Sequence, residues 1–403
     1  MAAAPNKPLA GVRILDLTHM LSGPYGAMIL ADLGADVIKV EPLAGEGTRK
    51  LLAGDPNNSI DGMGAYFLTL NRNKRSVCID LKSEDGLALF YELVKQSDVV
   101  INNFGAGVPQ RLKIDFEHLQ QHNPKIITCS VTGFGSDGPN YKRPAFDQVA
   151  QAVGGGMSIT GTDAENPVRA GIPIGDLGGG AFSVMGILAA LLERERSGQG
   201  QDVDISMVDC QISLLNYMAT MYFLSGQNPT PIGNAHFVHV PYNSYRCADG
   251  FIIIAVITDN FWQNLKPVVQ VAEFDDPKYD GQPGRLADKD FIDGKLSQIF
   301  ATNTQAYWLE QLNAQRIPCA PINNFGQALS DEQVLHRKMV VELTHPNGQK
   351  TKAPGSPLKF SRSNEESYSS PPLVGQHSDE VFGGMLGKSA EELAALREQG
   401  VIR

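Results

Sequence analysis

The sequence predicts a doubly wound α/β domain followed by a smaller domain, and three observations carry that reading. From residue 12 onward, short β-rich apolar runs alternate with segments of helical spacing, the pattern of a parallel sheet covered by helices on both faces. The composition is that of a loop-rich globular enzyme, with 403 residues, 42% hydrophobic and 19% charged, including 41 Gly and 24 Pro. The pattern then breaks at SGQNPTPIGNAH (225–236) and restarts in shorter units.

The elements follow in order. VRILDLT (12–18), DVIKV (36–40), SVCIDL (76–81), DVVINN (98–103) and KIITCSVTG (125–133) read as strands, and PYGAMILADLG (24–34) and SEDGLALFYELVKQS (83–97) as helices. The second helix has Ser83 as its N-cap and an acidic first turn, with Leu87, Leu89, Phe90 and Leu93 largely on one side. A long helix is expected near 176–195. It opens on IPIGDLGGG (172–180), where local chemistry makes Asp176 an N-cap. Its apolar run, Ala181 to Leu192, is shorter than the ~18 residues needed to span a bilayer, which reads as a core helix. QDVDISM and a further apolar helix complete a large domain over 1–224. A small domain over 225–328 runs from VPYNSYRCADGFIIIAV to IPCAPINN. Residues 329–403 form a linker and a C-terminal segment that returns to the large domain, ending in a helix capped by Ser389.

Several function classes are disfavoured. A formal net charge of −10 with no extended basic cluster argues against a nucleic-acid partner, and the apolar runs argue against a membrane. Five scattered cysteines without a CxxC pair, and no secretory signal, point to a reducing, cytoplasmic setting. GFGSDG (133–138) matches a dinucleotide fingerprint, but PNYKRPAF follows it where a helix N-terminus would have to meet the pyrophosphate. GGMLGKS (383–389) is one residue short of a phosphate loop. No HExxH or GxSxG occurs, so neither a metal ligand set nor a serine nucleophile is indicated, and the carboxylates remain.

Six stretches belong together: PLAGVRILDLTHMLSGPYGAMILADLGADVIKVE, LNRNKRSVCIDLK, INNFGAG, SVTGFGSDGP, AFDQVAQAVGG and IPIGDLGGG. They resemble the class III CoA-transferase family, the formyl-CoA transferase and carnitine CoA-transferase group, and the similarity runs in order across almost the whole chain. The resemblance implies a Rossmann-like large domain without a dinucleotide, a smaller α+β domain, and a homodimer whose protomers interlock. It implies no tightly bound cofactor, and a coenzyme A thioester and a carboxylic acid as substrates. It also makes Asp176 the nucleophile that attacks the thioester and then carries CoA as an aspartyl thioester. An ordinary carboxylate is ionised at neutral pH and needs no general base. Gly175 and Gly178 to Gly180 are expected to leave room for the acyl group and to let helix-start N–H groups face developing charge.

For CoA contact the candidates are His19, Lys39, Arg72, Lys74, Arg75, Asn103, Phe104 and Arg111, which lie in or beside the matched motifs at strand ends and following turns. Around the substrate acid the candidates are Leu21, Phe146, Asp147, Arg169 and His236, with Arg169 able to hold a distal carboxylate bidentately. Racemases of the same fold carry a histidine before the aspartate of a GHD-like triplet. Here the triplet is Ala145-Phe146-Asp147, which disfavours that alternative. Formyl-CoA:oxalate enzymes have glutamine at the position of Leu21, a basic residue at that of Pro42, and a glycine run where this chain reads GNAHFVHVPYNSY. That departure resembles transferases acting between dicarboxylates, often with succinyl-CoA as donor. A non-catalytic acyl-CoA-binding subunit is the remaining alternative.

Overall fold

The computed structural model describes residues 7–363 and 366–403. The chain divides into two units, one made of the described residues of Met1–Met157, Arg169–Gln227 and Leu335–Arg403, the other of Ser158–Val168 and Asn228–Val334.

The first unit is built on six strands: β1 (Arg13–Asp16), β2 (Asp36–Glu41), β3 (Lys74–Cys78), β4 (Val99–Asn102), β5 (Ile127–Thr132) and β6 (Asp202–Ser206). All pair in parallel, in the order β3-β2-β1-β4-β5-β6. The strands are apolar on both faces because both are covered. Ile14 and Ile101 point into one core with α1 (Ser22–Asp32), while Leu15 and Val100 point into the other with α2 (Glu84–Val94). Val381, Phe382, Leu393 and Ile402, from the C-terminal segment, complete the second core. The winding direction reverses between β1 and β4, so the crevice at their carboxyl ends is the topological switch point where ligands bind in open α/β sheets.

After β5 the first long element is α3 (Asp147–Val153), so the GFGSDG loop opens no helix. Then comes α4 (Ile174–Ser197), 24 residues long and, by length and composition, apolar enough to cross a membrane, longer than its sequence suggested. Half of its apolar window is buried inside the protein, as in a core helix. Its glycines have a packing cause. A Cβ on Gly179 would lie 2.5 Å from Ser22 Oγ, and one on Gly180 would lie 2.6 Å from the Ser22 carbonyl oxygen. α4 and α1 therefore meet at backbone distance, which only glycine permits. α5 (Met207–Leu215) follows β6, and a hairpin of β7 (Val340–Thr344) and β8 (Lys350–Pro354) belongs to the same unit.

The second unit has its own core. Strands Tyr242–Arg246, Phe251–Ala255 and Cys319–Pro321 form an antiparallel sheet whose Ile252 and Ile254 pack on Trp262, Phe300 and Trp308. Arg285 is fully buried there, held by the Val240 and Tyr279 carbonyl oxygens and Asp259.

Candidate active site

A cavity of about 200 Å³ lies at the switch point. His19 and Met20 line it from the turn after β1, Asn103 and Phe104 from the loop after β4, Arg143 and Phe146 from the loop before α3, and Asp176 from the first turn of α4. The β1 turn is clamped to the β4 loop: Asn103 Oδ1 accepts the His19 N–H at 2.9 Å and its Nδ2 donates to the His19 carbonyl oxygen at 2.7 Å. Met20 adopts φ 63°, a conformation disfavoured for a side chain of its size, and Glu46 accepts its N–H at 3.2 Å. Burial pulls the His19 imidazole, which faces the cavity, below its ordinary range.

Asp176 is not the cap its sequence context suggests. The helix starts two residues earlier with Pro173 at the N-cap, and the capping carboxylate comes from Asp147 on α3. Asp147 Oδ1 accepts the Gly175 N–H at 2.8 Å and the Asp176 N–H at 3.3 Å, while its Oδ2 accepts Gln151 Nε2 at 2.7 Å. This division leaves the Asp176 side chain outside the capping hydrogen bonds. Burial first, and the nearby Asp147 charge second, raise the Asp176 carboxyl to about 6. Such a group is ionised at pH 7.5, but it holds its charge at a cost, unlike the unperturbed aspartate expected from sequence.

Two further expectations are corrected. The first N–H groups of α4 are already taken, those of Gly175 and Asp176 by Asp147, and those of Ile174 and Leu177 by the Ile172 and Pro173 carbonyl oxygens. They are not offered to a ligand. The glycine run faces α1 and α5 rather than open space, since Cβ atoms on Gly178, Gly179 and Gly180 would meet Leu214, Ser22 and the Ser22 backbone.

The basic candidates separate into two groups. Lys74 is fully buried, with Nζ 2.8 Å from Asp16 Oδ2 and 3.0 Å from Asn71 Oδ1. Burial pulls its amine down to about 8 against the opposing pull of Asp16. Lys39 is equally buried and donates to the Thr18 carbonyl oxygen at 2.8 Å, with Glu46 3.8 Å away. Arg72 pairs with Asp32 at 2.7 Å, and Arg75 with Asp36, which sits at the start of β2 beside Arg13, at the edge opposite the cavity. These four are held in ion pairs that fix the sheet and its turns, and none lines the cavity. Arg111, on the short helix Val108–Leu112 after β4, is exposed and makes no ion pair among the described residues.

Beside the first cavity is a second of about 380 Å³, walled by Leu17, Val40, Pro42, Ile79 and Phe104, with Lys82 in its lining; Leu112 of the Arg111 helix also reaches it. Leu21 instead faces a third, apolar space of about 390 Å³ with Tyr25, Tyr66 and Leu177. Burial and the charges of Asp176 and Asp147 raise the Tyr66 phenol. Phe146 is 64% exposed at the cavity rim. Arg169 is exposed and turned back on its own loop, donating to the Ala170 and Gly171 carbonyl oxygens. His236 belongs to the second unit, where its Nδ1 accepts the Val238 and His239 N–H groups and its ring stacks on Phe237. The residues that sequence reasoning missed are Arg143, Tyr66 and Lys82. Arg143 follows the carboxyl end of β5, and that position is the sequence signal for it.

A family model for CoA-transferase family III matches residues 9–378. The chain is 35% identical over 398 residues to a succinyl-CoA:glutarate CoA-transferase of Mus musculus, an alignment that covers 98% of this chain and 90% of the relative. It is 37% identical over 420 residues to a formyl-CoA:oxalate CoA-transferase of Streptomyces coelicolor, covering 98% and 99% respectively. Among solved structures, a CAIB/BAIF family protein from Brucella suis matches with a TM-score of 0.85 and 33% identity, covering 94% of this chain and 100% of that one.

Proposed function

The chain belongs to CoA-transferase family III, and from that premise we propose that it moves CoA from an acyl-CoA donor, succinyl-CoA being the leading candidate, to a free dicarboxylic acid through an aspartyl-CoA thioester on Asp176. The observation that carries this reading is the cavity itself: Asp176 is its only lining carboxylate among the described residues, and it sits at the switch point.

The steps balance without a proton carrier. A carboxylate oxygen of Asp176 attacks the thioester carbonyl, the C–S bond breaks, and a mixed anhydride and CoA thiolate result. The thiolate attacks the aspartyl carbonyl, releasing the donor acid and leaving CoA on Asp176. The acceptor carboxylate then attacks that thioester to give a second anhydride and free thiolate. Attack of the thiolate on the acceptor's carbonyl restores the Asp176 carboxylate and releases the new acyl-CoA. The Mus musculus and Streptomyces coelicolor relatives are both named for dicarboxylates, glutarate and oxalate, which supports a diacid acceptor.

For CoA, the apolar slot between Leu17, Val40, Ile79 and Phe104 suits the adenine, and Arg111 and Lys82 supply charge for the phosphates. Arg111→Ala is expected to raise KM for acyl-CoA about tenfold with kcat little changed, a loss of uniform binding. Lys74→Met is expected instead to lower stability by about 3 kcal/mol, since it leaves Asp16 buried and unpaired. Steady-state kinetics and urea unfolding of both variants check this; a KM effect of Lys74→Met on a stable protein would reverse the assignment.

A homodimer, interlocked as the family resemblance implies, is the proposed assembly. Helix Tyr217–Ser225 buries none of its residues, and Phe223 and Leu224 stand 80% and 84% exposed, an apolar surface that a second copy would cover. Sedimentation equilibrium is expected to give twice the chain mass, and a monomer at micromolar concentration would contradict it.

A further inference from the structure

The cavity around Asp176 holds one side chain of permanent positive charge among the described residues, Arg143. Its guanidinium lies over the Phe134 ring, 4.9 Å from the centroid, and makes no ion pair among the described residues. Arg143 is exposed at the cavity rim, where its forked N–H donors can reach a planar anion. The residue sits on the loop between β5 and α3, just ahead of Phe146 and of Asp147, which caps the helix that presents Asp176.

The chemistry of the substrate says which anion this is. The thioester end of an acyl-CoA is uncharged along its pantetheine arm, and the phosphates lie at the far end of that arm. An anionic group sharing a 200 Å³ cavity with the thioester carbonyl therefore belongs to the acyl group. Without a partner, that charge would lie near the Asp176 carboxylate, where like charges repel. Arg143, lining the same cavity, is the cation available to pair with it.

We propose that Arg143 holds the distal carboxylate of a dicarboxylic acyl group while its other end reacts at Asp176, and so selects diacids over monoacids. The inference rests on the CoA-transferase reading and prefers Arg143 to Arg169, which lies outside the cavity lining and turns its Nη1 back on its own loop. It adds to that site the residue that reads the second carboxylate.

The test compares two donors of equal chain length, succinyl-CoA and butyryl-CoA, in forming the CoA adduct on the enzyme, followed by intact mass. The wild type is expected to prefer succinyl-CoA. In Arg143→Met the rate with succinyl-CoA is expected to fall about 10- to 100-fold, while butyryl-CoA changes less than about threefold, so that the preference collapses. Arg143→Lys, which keeps the charge without the fork, is expected to recover part of it. An undiminished preference in Arg143→Met, or an equal loss with both donors, would overturn the proposal while leaving Asp176 as nucleophile. No adduct from the wild type with either donor would overturn the transferase mechanism and this inference with it.

Discussion

Asp176→Asn is expected to lower turnover at least about 10⁴-fold, because the amide cannot supply the attacking oxygen or carry CoA, and no other lining side chain can take its place. The same variant is expected to be more stable than the wild type. The folded-state carboxyl sits at about 6, above its ordinary 3.8, so the native protein binds this proton more tightly than the unfolded chain does. Its contribution to stability is therefore fully present below about pH 3.8 and is lost as the pH rises through 6. At pH 8 the ionised wild-type group costs roughly 2–3 kcal/mol, which asparagine avoids, whereas near pH 4 the two proteins converge. Urea unfolding at both pH values, alongside a turnover assay, checks the pair of effects. A variant that loses activity but gains no stability at pH 8 would show that Asp176 is not held against its charge.

Asp147 comes second because it does two things at once. It caps α4 through the Gly175 and Asp176 N–H groups, and its charge adds to the burial that raises Asp176. Asparagine removes the charge and keeps an accepting oxygen; alanine removes both. In the wild type kcat/KM should fall on the acid side with a midpoint near 6, as Asp176 takes up its proton. In Asp147→Asn that midpoint is expected to move down but not to the ordinary aspartate value, since burial is the larger cause and remains. Asp147→Ala is expected to lose about 1–2 kcal/mol of stability with the cap, and about 10²-fold in kcat/KM as the turn carrying Asp176 shifts. pH–rate profiles of the three proteins separate charge from position, and coincident acid limbs would remove Asp147 from the electrostatics of the site.

Much of the first unit is written in periodicity. The apolar strands beginning near residues 13, 36, 99 and 127 and the helix opened by Ser83 fall where the pattern places them, because a parallel sheet buried on both faces demands continuous apolar runs. Charges were less legible. Lys39 and Lys74 read as ligand contacts at strand ends, yet inside a sheet covered on both sides a lysine must meet an acid, and Asp16 and Glu46 are those acids. IPIGDLGGG points to Asp176 as the proposed nucleophile only through family resemblance, and its local reading misassigned the neighbours. The cap comes from Asp147, 29 residues away, and the glycines answer to α1, which no local reading can show. For Arg143 the sequence offers only its place after the carboxyl end of β5; that its loop meets the start of α4 is set by the fold.

The most direct measurement is the intact mass of the purified protein after brief incubation with succinyl-CoA in the absence of acceptor. A mass increase of one CoA less water, located on Asp176 by peptide mapping, removed by hydroxylamine and absent from Asp176→Asn, is the result expected. Normal CoA transfer by a protein that never acquires this adduct, or an adduct that persists in Asp176→Asn, would contradict the assignment of Asp176 as the residue that carries CoA.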